Sequence, residues 1–168
     1  MENYGESKVI TLLKGIAGAV IGAIPGMLVW IILGKLGIVF SLVGMLIGFG
    51  ILVGFSIFTK DKDLPIWVML VIFLGVFAVV MILSEQIVWT WEITDILKDN
   101  LSEFSGSEYK EILKETIGIE KISFGECFSN FFTILEKLDV KGKYIWELAK
   151  SSLFGILGGL AVFAKMGK

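Results

Sequence analysis

The sequence predicts an all-α protein: a polytopic transmembrane helical bundle of about four spans, with an acidic, helical extramembrane segment between spans three and four. Three observations predict this. The runs Gly15 to Gly34, Leu36 to Thr59 and Leu64 to Ser84 carry no charged residue and are each about 20 residues or longer, enough at about 1.5 Å per residue to cross about 30 Å of hydrocarbon. The 168-residue chain is 55% hydrophobic with a mean hydropathy of +0.84, more apolar surface than one soluble core absorbs. Thirteen of the seventeen acidic residues fall between Glu85 and Glu147, which sets that stretch apart as a polar region.

The boundaries that follow are a three-span membrane region over 1–84, an amphipathic helical extramembrane segment over 85–143, and a fourth membrane helix with a basic tail over 144–168. Span one starts after Lys14. It is longer than a signal-peptide core of about 7 to 15 residues, and Glu2 and Glu6 beside Lys8 make a poor basic leader, so a retained span is expected. Gly34-Lys35-Leu36-Gly37 turns the chain into span two, and Lys60-Asp61-Lys62-Asp63 separates spans two and three. Lys8 and Lys14, Lys60 and Lys62, and Lys165 and Lys168 share one side if that side is cytoplasmic, which places both termini inside a cell membrane. Trp30, Trp89, Trp91 and Trp146 then mark the outer interface and Trp67 the inner one.

Within the acidic segment, span three is expected to continue past Glu85 toward Lys98 through Ile87, Trp91 and Ile96. A helix near Glu108 to Ile117 ends at Gly118, a residue suited to the left-handed cap. A third helix starts at Ser123, whose spacing to Glu126 is that of a capping box, and presents Phe124, Cys127, Phe128, Phe131, Phe132 and Leu135 on one face. That face requires burial, against the chain itself or in the outer leaflet. Span four has a charge-free core of only about 14 residues, Ser151 to Ala164, so its helix is expected to begin near Tyr144, with Lys150 snorkelling to the headgroups; a re-entrant segment is the alternative.

The glycines Gly15, Gly18, Gly22 and Gly26 in span one, and Gly44, Gly48, Gly50 and Gly54 in span two, recur at helical spacing. Without side chains the backbones approach closely and gain dispersion contacts where lipid supplies no hydrophobic push. A tight hairpin uses one such face. The other suits further intrachain packing, a second copy, another membrane protein or a pore. Pro25 interrupts the hydrogen-bond ladder of span one, as a simple kink or as a broken helix with freed carbonyls. Glu85, with Gln86 beside it, closes the third apolar run. A carboxylate there has a partner, for which Lys150 is better placed than Lys14, or is solvated at the interface, or relays a proton or cation.

The fifteen basic residues are all lysine, and there is no histidine and one cysteine, Cys127. Histidine-dependent intramembrane proteases and phosphatases, disulfides and cysteine-based zinc sites are thereby excluded, and no aspartate lies in spans one to three to form an aspartyl dyad. No catalytic residue, metal ligand or cofactor is expected, and no nucleic-acid partner. The segment Gly22-Ala23-Ile24-Pro25, the Glu after span three, the start Ile122-Ser123-Phe124 and the short glycine-rich last span together loosely resemble small four-span membrane proteins of bacteria. The resemblance implies the bundle and carries no activity. The expectation is a non-enzymatic membrane protein acting through helix packing in the lipid bilayer, by self-association or with another membrane protein; a small ion channel or transporter is the alternative.

Overall fold

The computed structural model describes residues 8–36, 41–59, 65–101, 104 and 106–166, and these are helical apart from short connections. Seven α-helices follow in order: α1 (Lys8–Lys35), α2 (Ser41–Thr59), α3 (Ile66–Leu101), α4 (Gly106–Glu111), α5 (Phe124–Ser129), α6 (Phe131–Lys137) and α7 (Lys141–Met166), with a π-helical turn over Ile112–Ile117 after α4. Two of them, α1 and α3, are long and apolar enough to cross a membrane, with mean hydropathies of 2.3 and 3.1 over their most apolar windows. The Lys60–Asp63 connection and Gly37 lie outside the described residues.

The four long helices form a ring in which α1 touches α2 and α3, and α7 touches α2 and α3. Glycine decides the tightest seam. A Cβ on Gly18 would collide with the Gly54 carbonyl and one on Gly22 with the Gly50 carbonyl, while one on Gly26 would lie 2.8 Å from the Ile47 Cα. The partners run backwards along α2 as they run forwards along α1, so the pair is antiparallel and backbone meets backbone. Gly44, on the same helix, meets the Gly155 backbone of α7 instead. The second glycine face of α2 is therefore closed by the chain's own last helix.

Helix α3 is the spine. Its 36 residues extend about 54 Å, nearly twice the hydrocarbon thickness. The first half contributes Phe73, Phe77, Val80 and Met81 to a core shared with Ala23, Trp30, Ile47 and Phe55. The second half contributes Trp89, Ile93, Leu97 and Leu101 to a separate core with Leu113, Ile117, Cys127, Phe131, Ile134, Leu135 and Tyr144. Ser84, Thr90 and Thr94 are buried along α3, and each hydroxyl donates to a carbonyl four residues earlier, which satisfies it without any tertiary partner.

The second core is a helical cap built where the aromatic face was expected. The Glu126 N–H donates to Ser123 Oγ at 3.3 Å, the bond that the capping spacing requires. Gly118 takes φ 86° and its N–H donates to the Leu113 carbonyl at 2.7 Å, an i to i−5 bond that ends the π turn. The expected single helix from Ser123 is two: Asn130 donates its side-chain amide to the Glu126 carbonyl at 3.0 Å and stands at φ −103°, ψ 17°, dividing α5 from α6. An asparagine side chain competes with the helix ladder, so this break has a local cause. The expected start of the last helix near Tyr144 moves to Lys141, and the boundary at 84/85 falls inside the unbroken α3.

Candidate functional site

The polar feature of the bundle assembles around Glu85. On α3 it follows Met81 and Ser84 on the buried face, and its residue is only 6% exposed. On α7, Tyr144, Glu147 and Ser151 stand three and four residues apart, hence on one helix face. On α1, Trp30 is buried near the end of the helix. These three helices converge so that the Ser151 hydroxyl and the Trp30 indole N–H both donate to the Glu85 carboxylate. Glu147, half-buried, adds a second negative charge close by. Tyr144 is 3% exposed, its ring packs edge-on against Trp89 and Phe131, and its hydroxyl has no hydrogen-bond partner while lying within electrostatic reach of Glu85.

The lysines at this end of the bundle are turned elsewhere. Lys150 lies over the Trp146 ring at 5.7 Å, Lys143 over Trp89 at 5.4 Å and Lys35 over Trp91 at 4.8 Å. The expected pairing of Lys150 with Glu85 is thus replaced by two neutral donors. An exposed lysine gains from an aromatic face without leaving water, whereas reaching Glu85 would bury the ammonium as well.

The other candidate residues fall in different places. Gln86 turns outward from Glu85 to donate to the Phe128 carbonyl of α5 at 3.4 Å, tying bundle to cap. Pro25 is exposed and α1 runs through it without a break, so no carbonyl ligand set forms there. Gly15, Gly18, Gly22, Gly26 and Gly54 line the α1–α2 seam, Gly15 against Phe55 and Thr59. Gly44 lies at α7, and Gly48 is buried. An apolar groove of about 320 Å³ separates α1 from α3, with Ala23 and Ile24 on one wall and Gly75 and Val79 on the other.

Sequence reasoning missed Trp30, Tyr144, Glu147 and Ser151 as neighbours of Glu85. The polar row 144, 147, 151 on one face of α7 was the available signal. Among the described residues no three His, Cys, Asp or Glu side chains come together as a metal site. Comparison with protein-family models, with curated proteins and with solved structures gave no match to this chain, so every residue role here rests on the chain's own geometry.

Proposed function

We propose that the chain is a non-enzymatic, multi-pass protein of the cell membrane, with four crossings and both termini cytoplasmic, which acts by packing: with a second copy or as the small subunit of a membrane complex, its acidic cap meeting a partner outside. The observation that carries this is the apolar outer surface of the bundle. Leu13, Leu28, Ile32, Val71, Val79, Leu153 and Leu157 are all exposed on α1, α3 and α7, while the inward faces of the same helices already form a core. A continuous apolar exterior of this extent is stable in lipid and is an association liability in water. Inside, glycine seams bring helices within backbone contact, the packing mode of membrane bundles.

The three lysine–tryptophan pairs support the crossing pattern, since Lys35, Lys143 and Lys150 gather with Trp91, Trp89 and Trp146 at the level where α1 ends, α7 begins and α3 leaves the first core. A channel or transporter is the second reading, favoured by the burial of Glu85 with Trp30 and Ser151. The packing reading predicts that the protein stays in the membrane pellet after alkaline carbonate extraction, and that reconstituted liposomes leak no more ions than empty ones. Release into the supernatant would remove the membrane reading. A selective current abolished by Glu85→Gln would install the channel in its place.

A further inference from the structure

The apolar groove between α1 and α3 is shaped by what its walls lack. On α3, Gly75 has no side chain, and a Cβ placed there would meet nothing within 4 Å. On α1, Ala23 is fully buried and lies at the base of the groove. The small residues Gly15, Gly18, Gly22 and Gly26 of α1 are all taken up by contacts with α2 and leave none for this face. The rim is branched instead, with Val20 and Ile24 on α1 and Val79 and Leu83 on α3, all exposed. Only aliphatic residues, glycine and methionine line the groove, so no group in it would orient a polar ligand.

The dimensions of the groove select its occupant. The walls run from Ile16 to Met27 on α1 and from Gly75 to Leu83 on α3, about 12 to 16 Å at about 1.5 Å per residue. Spread over that length, a volume of about 320 Å³ leaves about 20 to 27 Å² of cross-section. A helix about 10 to 12 Å across needs roughly 80 Å² or more. A second transmembrane helix lying over the groove would need small residues on the rim for its backbone to approach, and the rim is branched. We infer that the groove holds one hydrocarbon chain of a membrane phospholipid, retained in preference to the lipid around the bundle. A flexible chain follows an irregular wall, and each carbon within about 3.5 to 4.0 Å of the protein adds a dispersion contact. Between α1 and α3 such a chain touches two helices at once, where a chain against the outside of α7 touches one.

Val79 and Leu153 provide the comparison that tests this. Phe77 of α3 packs on Gly155 of α7 and Trp89 on Tyr144, so the two helices run antiparallel. Val79 and Leu153 each stand two residues outward of the Phe77–Gly155 contact and so share a depth. Both are 57% exposed, but Val79 lines the groove and Leu153 does not. The purified full chain is reconstituted into phosphatidylcholine vesicles containing a phosphatidylcholine with a diazirine on one acyl chain, irradiated, and mapped by peptide mass spectrometry. Val79 should be labelled about fivefold more than Leu153, a ratio that about ten extra carbon contacts supply. In Gly75→Leu, whose side chain would occupy the groove, labelling of the two should become equal. Equal labelling in wild type would overturn the inference without the variant, and so would an unchanged ratio in folded Gly75→Leu. Efficient disulfide formation between copies of a Val79→Cys, Cys127→Ala chain would also overturn it, by assigning the groove to a second copy. This assignment rests on the bundle lying in lipid, which carbonate extraction tests separately; a chain that stays in the membrane with Val79 and Leu153 labelled equally keeps the membrane reading and removes the groove.

Discussion

Replacing Gly22 with alanine is the sharpest probe of the α1–α2 seam. The added Cβ would run into the Gly50 carbonyl, 2.9 Å from its carbon, and lie 3.1 Å from the Gly54 Cα, where ordinary carbon contacts sit at about 3.5 to 4.0 Å. Those neighbours are backbone and cannot rotate away, so the two helices must part by about 1 Å. A gap of that size forfeits a quarter to a half of each atom-pair attraction of about 0.1 to 0.2 kcal/mol; over roughly 40 pairs along the seam the loss is about 1 to 4 kcal/mol, the scale of the usual cost of overpacking. Gly75→Ala is the matched control, because a Cβ there meets nothing within 4 Å. Both changes carry the same intrinsic helix-propensity gain of up to about 1 kcal/mol, which cancels in the comparison. In thermal melts followed by circular dichroism in one mild detergent, Gly22→Ala should unfold roughly 5 to 10 °C below Gly75→Ala. Midpoints within about 2 °C of each other would mean that the helices do not approach at Gly22, and the glycine-seam account would fail.

Topology is tested by single cysteines in a Cys127→Ala background: an impermeant maleimide should label Glu120→Cys from outside intact cells and Trp67→Cys only after permeabilisation, and the reverse pattern would invert the bundle. In the cap, Phe131→Ala should cost about 3 to 5 kcal/mol, read from chemical denaturation of the cap's near-ultraviolet signal, because Phe131 is buried between Phe132 and Tyr144. Ser123→Ala should cost about 0.5 to 2 kcal/mol through the lost Glu126 N–H acceptor, and restoring a cap with Ser123→Asp should recover most of it. Gly118→Ala should destabilise by about 1 kcal/mol because φ 86° disfavours a side chain; a neutral result would place the helix end elsewhere.

The sequence by itself determined what depends on runs, periods and local chemistry. Uncharged stretches placed α1, α2 and α3, a capping spacing started α5 at Ser123, a glycine ended the turn at Gly118, and a 3.6-residue apolar row identified Cys127, Phe131 and Leu135, which the cap buries, because each depends on residues within a few positions of one another; Phe132 of the same row stays exposed, and Phe124 and Phe128 are half-buried. Tertiary structure decided everything that depends on how one helix is rotated against another. Glycine spacing identified packing faces on α2 but not that Gly50 and Gly54 face α1 while Gly44 faces α7. A periodic pattern fixes a face relative to its own axis and leaves the partner open. For Glu85 the sequence marked the residue and proposed Lys150; packing supplied Trp30 from α1 and Ser151 from α7, with Lys150 drawn onto Trp146. The contacts of Glu85 with Trp30 and Ser151 join positions more than fifty residues apart, and only the simultaneous closure of the four-helix ring brings them to one point, whereas Lys150 meets Trp146 four residues earlier on α7 itself.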